Sequence, residues 1–259
     1  MLIGHENSVK LFKKLADKDK LFHAYLFFGE PQLGKFLFAV SLANYFEYGI
    51  FEESKKILEE ALIISPDEKS KISIENAKHS QNFLFQSPIL SKKRVVIIRD
   101  AENLTFDAQN ALLKIIEDNP PFSLVIFISA DENSLLPALS SRLQKIYFSR
   151  VAESEIKKYL ETQYLENSGD KKIDKRKINE AVKNSFGRPG RAISYLMNKE
   201  EKSDNVMDDN NIDEFFENKL IELRVTGYKN IELAKETLKR MSLIKMFNLN
   251  KKLQLKTLN

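Results

Sequence analysis

The residues best suited to chemistry lie together at Gly29-Glu30-Pro31-Gln32-Leu33-Gly34-Lys35-Phe36. They follow the pattern G-x-x-x-x-G-K-[S/T] through Lys35 and break it at the last position. In a working phosphate loop, or P-loop, the glycines let backbone N–H groups curl around phosphates. The lysine reaches the β- and γ-phosphates, and the hydroxyl holds Mg²⁺. Phe36 has no oxygen to offer a metal. The stretch therefore reads as part of a nucleotide-binding scaffold whose catalysis has been compromised. A blander reading is that Gly29, Gly34 and Lys35 preserve only a turn between a strand and a helix, with Lys35 solvated. Backbone N–H groups at a helix start can hold phosphate without a metal, so ATP or ADP binding stays open. An empty or occluded loop is the expectation.

The elements that must position this loop are legible on either side of it. Val9, Phe12, Leu15 and Ala16 recur at helical spacing, predicting a helix over 6–18. The apolar run from Ala24 to Phe28 reads as a buried strand delivering the loop, and 36–46 as the helix after it. Phe51, Ile57, Leu58, Ala61 and Leu62 predict a further amphipathic helix over 51–64. Buried strands are predicted at 94–98, 124–129 and 145–148. Thr105 is placed to cap a helix running to Asp118, and 135–142 to form a short helix or turn. The stretch 71–91 is left undecided. Apolar strands alternating with helices argue an α/β domain with a parallel sheet covered on both faces, over 1–150. Beyond it the strand signal stops. Helices at 153–166, 175–186 and from Arg191 form a small helical domain, 151–198. The polar stretch 199–211 reads as a linker, and 212–259 returns to helical periodicity with Phe215, Phe216, Leu220 and Leu223.

The bulk properties remove several function classes. With 259 residues, 42% hydrophobic and 30% charged, the composition is that of a soluble globular chain. No apolar run approaches the roughly 20 residues a membrane span needs, and Met1–His5 has no signal-peptide character. No cysteine and only the scattered His5, His23 and His79 leave no zinc set, and the absence of cysteine fits the cytoplasm. A net charge of +4 falls short of a strong nucleic-acid footprint. The compact basic run Lys92-Lys93-Arg94 reads as the cap of a strand edge.

Four segments, taken in order, become specific: Ile3-Gly4-His5-Glu6; His23 to Phe27 running into the loop; Asn110-Ala111-Leu112-Leu113-Lys114-Ile115-Ile116-Glu117-Asp118-Asn119-Pro120-Pro121; and Leu139-Ser140-Ser141-Arg142. Together they resemble the clamp-loader branch of the AAA+ ATPases, which includes the bacterial DNA polymerase III gamma/tau and delta-prime subunits. The resemblance covers about residues 1–197. It implies an AAA+ P-loop domain, a helical lid and a C-terminal helical collar segment. An active member carries Asp-Glu after the second apolar strand, and here Arg99-Asp100 stands there. With Phe36, two metal contacts are missing, which makes this a non-hydrolysing, delta-prime-like pattern. An active, gamma/tau-like ATPase is the alternative.

The same resemblance assigns roles. Arg142 would be an arginine finger supplied in trans to a neighbour's nucleotide site, although Leu143 stands where the family motif has cysteine. Without the resemblance, Arg142 merely pairs with a carboxylate. Gly29, Gly34 and Lys35 would line a degenerate nucleotide site. Arg191 would be the lid arginine that contacts phosphate, with Arg188 a weaker candidate, and Ser129 would be a vestigial sensor. No metal and no zinc are expected. Implied partners are the clamp-loader gamma/tau and delta subunits, and through the complex the sliding clamp and primer-template DNA, with no membrane.

Overall fold

The computed structural model describes residues 2–54, 56–166 and 174–198, together with Lys235, Leu238 and Lys239. The chain divides into two compact units, Met1–Leu196 and Met197–Asn259. The expected linker and collar segment therefore lie outside the described residues, apart from the helical Lys235, Leu238 and Lys239.

In the first unit, α1 (Glu6–Asp17) precedes β1 (Ala24–Phe28) and α2 (Lys35–Tyr48). There follow β2 (Ala61–Ile64), α3 (Ile74–Leu84), β3 (Arg94–Ile98), a 3₁₀ turn (Ala101–Asn103) and α4 (Phe106–Glu117). Then come β4 (Ser123–Ser129), α5 (Pro137–Ser140) and β5 (Gln144–Tyr147). The strands form one five-stranded sheet in the order β2-β3-β4-β1-β5, every pairing parallel. The α/β fold with a parallel sheet is thus as expected.

Alternation along the central strands feeds two cores. Leu26, Val96 and Phe127 point to one face, where they meet Leu112 and Ile116 of α4 and Leu84 of α3. Phe27, Ile97 and Ile126 point to the other, against Phe12 of α1 and Phe38 of α2. Burial on both faces explains why these strands read as unbroken apolar runs. Thr105 caps α4 by accepting from Ala108 N at 3.3 Å, as its position suggested.

Two expectations need correction. The stretch 51–64 is not a helix. Ala61–Ile64 is the edge strand β2, paired with β3, and none of the described residues of 51–60 lies in a helix or strand. Val95 N donates to Glu60 O at 2.9 Å, so the sheet takes up this segment. A four-residue edge strand is too short to show a period, and the helical pattern counted Ile57, which is 87% exposed. The last strand also begins one residue earlier than expected, at Gln144. In the undecided stretch 71–91 lies α3, whose start is tied by Asn76 Oδ1 accepting from Ser73 N at 2.9 Å.

The helical part of this unit consists of α6 (Glu153–Glu161), a π-helical turn (Thr162–Glu166), α7 (Lys175–Ser185) and α8 (Pro189–Asn198). Ile156, Leu160, Ile178 and Ala192 form its core, into which Ile3 from the N-terminal segment inserts.

Candidate functional site

The loop after β1 is built by close approach. Gly29 has φ +136°, and a Cβ there would lie 2.5 Å from Phe148 O, so only glycine lets the chain turn beside the end of β5. Gly34 (φ +89°) starts α2 under Leu2, whose Cδ1 would be 3.1 Å from an added Cβ. The helical part closes over the loop. Gly190 N donates to Gln32 O at 3.0 Å, and any side chain at Gly190 would meet Gln32. Below the loop, Arg150 makes a bidentate pair with Glu30 (Nη2–Oε1 2.6 Å, Nε–Oε2 3.0 Å) that holds the Glu30 carboxyl below the usual carboxylate range. His5 Nε2 lies 3.1 Å from Leu33 O, and burial keeps its imidazole below its ordinary pKa.

Lys35 folds back onto the loop. Its Nζ donates to Gly29 O at 2.5 Å and Glu30 O at 2.7 Å. The residue is 7% exposed. Burial lowers its pKa to about 8, against the opposing pull of Glu102, Asp100 and Glu30. Lys35 is therefore not the solvated side chain of the blander reading.

A cavity of about 380 Å³ opens beside the loop. Leu2, Ile3, Pro189 and Ile193 line an apolar side, and Gly34, Lys35, Phe36, Arg99 and Asp100 the other. Phe36 and Arg99, the two departures from the active pattern, meet there: the Arg99 guanidinium lies over the Phe36 ring, 4.4 Å from its centroid. Ser129 faces elsewhere. Its hydroxyl lies 2.8 Å from Ser134 Oγ and accepts from Asp131 N, while Ile128 lines the cavity. Arg191 is 7% exposed on α8, and the helical part lines the cavity through Pro189, Gly190 and Ile193 rather than through Arg191.

Arg142 stands apart from the cavity, just after α5. Its Nη1 donates to Ala138 O at 2.8 Å, and its Nη2 lies 2.7 Å from Glu117 Oε1 at the end of α4. Both side chains are nearly half exposed. The carboxylate pairing that a bare sequence allowed is therefore present, and its partner belongs to the N-A-L-L-K segment.

The family profile described as DNA polymerase III, delta subunit matches residues 4–152. The chain belongs to this family. The delta' subunit of Bacillus subtilis is 30% identical over 154 residues, 54% of this chain and 46% of that protein. DNA polymerase III subunit gamma/tau of Mycoplasma genitalium is 28% identical over 165 residues, 60% of this chain and 28% of that protein. The chain thus spans less than half the length of these relatives. A gamma subunit-related protein of Thermotoga maritima has the same fold (TM-score 0.59, 18% identity, 95% of this chain and 96% of that one). So does the RuvB branch migration motor of Thermotoga maritima (TM-score 0.54, 18% identity, 98% and 68%). The fold is AAA+.

The family match takes in the loop, Phe36, Arg99 and Arg142 and stops before Arg191. The Mg²⁺ that AAA+ ATPases use does not fit here. Phe36 presents a ring where a hydroxyl is needed, and Arg99 places a positive charge where a carboxylate is needed. No group of His, Cys, Asp or Glu suited to a metal ion occurs among the described residues. Nor, among them, is any helix long and apolar enough to cross a membrane. Sequence reasoning missed Glu117 as the partner of Arg142, and Leu2 and Ile3 as cavity walls. Glu117 was visible within the specific segment, but no spacing tied it to Arg142.

Proposed function

We propose that this chain is a non-hydrolysing, delta-prime-like subunit of the DNA polymerase III clamp loader. It scaffolds clamp loading in the cytoplasm and supplies Arg142 in trans to the nucleotide site of a gamma/tau neighbour. Its other partners are the delta subunit and, through the complex, the sliding clamp and primer-template DNA. The observation that carries this reading is the Arg99–Phe36 stack, which puts a cation and a hydrocarbon face where two Mg²⁺ contacts belong. Without a metal to neutralise charge on the transferred phosphoryl group, hydrolysis loses its main electrostatic support.

The finger role draws on the geometry of Arg142. A planar, permanently charged guanidinium suits a γ-phosphate. Its exposed pair with Glu117 is worth only about 0–1 kcal/mol, so a neighbour's phosphate can displace the carboxylate. The test is ATP hydrolysis by the isolated full chain with Mg²⁺, followed by its co-purification with gamma/tau and delta. The proposal expects no turnover and a stable complex. Turnover by the isolated chain would instead make it an active AAA+ ATPase.

A further inference from the structure

On the side away from β2 the sheet ends in an open edge. Strand β5 lies last in the strand order and pairs only with β1. Phe148 N, just past the strand, donates to Phe28 O at 2.8 Å. By alternation the backbone of Ile146 also faces β1, and that of Lys145 and Tyr147 faces outward, where no other strand of the sheet takes up their N–H and C=O groups. An edge of this kind accepts a further strand. Beside it, on the α1 face of the sheet, runs a groove of about 490 Å³. Its buried floor is Phe12 and Tyr25, and Leu11 and Leu15 of α1, Ile146 of β5 and Phe22 form its sides. Leu11 and Phe22 are 50% and 44% exposed, so the apolar strip next to the open edge is uncovered.

The charge around the groove selects its occupant. Lys20 lines it, and Lys14 and Lys18 each stand three residues beyond a groove leucine, which puts them beside Leu11 and Leu15 on the helix surface. All three lysines are exposed, and none has a carboxylate partner among the described residues. The acids next to them in sequence are engaged elsewhere: Asp17 Oδ1 accepts from the Tyr45 hydroxyl at 2.6 Å, and Asp19 lies 2.8 Å from Lys93. On the other face of β5, Lys145 reaches Glu132 only at 3.8 Å. The floor adds a buried donor. The Tyr25 hydroxyl accepts from Phe22 N at 2.9 Å, and its own proton has no acceptor among the described residues.

We propose that the β5 edge and this groove take an extended acidic segment of a partner protein as an added strand. Its backbone pairs with Lys145 and Tyr147, and its apolar side chains, at alternate positions, fill the groove. The acidic side chains between them face Lys145, and a carboxylate at one end meets Lys20 and the Tyr25 hydroxyl within the field of Lys14 and Lys18. A nucleic-acid strand would answer the lysines but leave the apolar floor and the open edge unused. The inference goes beyond the proposed function and requires neither Arg142 nor the cavity at Phe36.

The test is fluorescence anisotropy of the full chain with a labelled heptapeptide, Asp-Val-Glu-Leu-Glu-Val-Asp, at low and high salt. The expected result is saturable binding with a micromolar Kd, weakened about three-fold or more between about 50 and about 500 mM salt. Leu11→Asn, at a half-exposed position, weakens it about five-fold by removing apolar surface from the groove. Reversing Lys14, Lys18 and Lys20 together to Glu weakens it about 10-fold or more. A peptide N-methylated at its Leu and the Glu that follows, one of which must donate to β5, also loses about 10-fold or more. Thermal melts establish that the variants are folded. No binding at millimolar peptide overturns the proposal. So does an unchanged Kd in folded Leu11→Asn, in the folded lysine variant or with the N-methylated peptide, and so does equal binding of a peptide with Lys in place of every acid. An oligothymidylate that binds more tightly than the peptide, with no loss in Leu11→Asn, would assign the lysines to nucleic acid and overturn it. Sedimentation of the chain alone as a dimer that Leu11→Asn dissociates would assign the groove to a second copy, with the same consequence. None of these outcomes bears on ATP turnover, which is the readout of the proposed function.

Discussion

Lys35 gives the structure a measurable pH signature. Its ammonium is enclosed by the loop, and burial lowers its pKa from 10.5 to about 8. The folded state therefore releases this proton more readily than the unfolded chain. Below pH 8 both states hold the proton and the cost of burying the charge is fully present. As pH rises from about 8 to 10.5 the unfolded chain binds more protons than the folded one, so stability rises through that window. The ceiling on this gain is about 3 kcal/mol. The amine borders an open cavity, and screening there reduces the expected gain to about 1–2 kcal/mol. Lys35→Met keeps the length of the side chain and removes the charge. At neutral pH relief of the burial cost is offset by Gly29 O and Glu30 O losing their donor, about 1–2 kcal/mol in the opposite sense. The decisive quantity is thus the pH dependence of the difference, in which tyrosines and other shared groups cancel. Urea unfolding of both proteins at pH 7.5, 9 and 10.5, with equal m-values, measures it. Wild type should gain on Lys35→Met by about 1–2 kcal/mol across the series. A flat or falling difference would refute the enclosed ammonium.

Three further variants probe how the site is held. Phe38 is fully buried with the rings of Phe12, Phe27, Phe51 and Phe148 at 5.1–5.6 Å, so Phe38→Ala should cost about 3–5 kcal/mol, seen as a fall in Tm of about 10 °C. Gly29→Ala should cost at least about 2 kcal/mol more than Gly49→Ala. Both have positive φ, but a Cβ at Gly29 meets Phe148 O at 2.5 Å while one at Gly49 meets nothing within 4 Å, and parallel denaturant melts measure the difference. Arg94 lies 3.1 Å from Glu60 Oε2, both side chains being buried, so Arg94→Met should destabilise by about 3–5 kcal/mol by leaving a buried carboxylate without its counter-charge. Arg94→Met combined with Glu60→Leu should recover only part of this in the same melts, because Ile89 N and Leu90 N would lose their acceptor.

What the sequence made legible follows from the range of the signal. The strands β1, β3 and β4 announced themselves because burial on both faces leaves no polar residue in the run. The start of α4 was visible in Thr105 because a cap acts within three residues. Strand β2 was misread because its four residues carry no period, and the buried acid before it is explained by Arg94 and by Ile89 N and Leu90 N, all far along the chain. At the site, the loop glycines, Phe36, Arg99 and Arg142 each stood out against a pattern. That Phe36 and Arg99 touch, that Glu117 holds Arg142, and that Gly190 seals Gln32 are contacts between distant segments, which no local spacing encodes. The expected role of Arg191 rested on its place in the motif, and no local spacing encodes that Pro189, Gly190 and Ile193 line the cavity.

The central claim is that a chain unable to turn over ATP supplies Arg142 to a neighbour that can. Its most direct test is steady-state ATP turnover by a loader reconstituted from gamma/tau, delta and this chain, wild type against Arg142→Ala, with assembly checked by gel filtration. The account predicts an assembled complex whose turnover falls roughly ten-fold or more, a conservative floor for losing a finger supplied in trans. Equal turnover in an intact Arg142→Ala complex would contradict it.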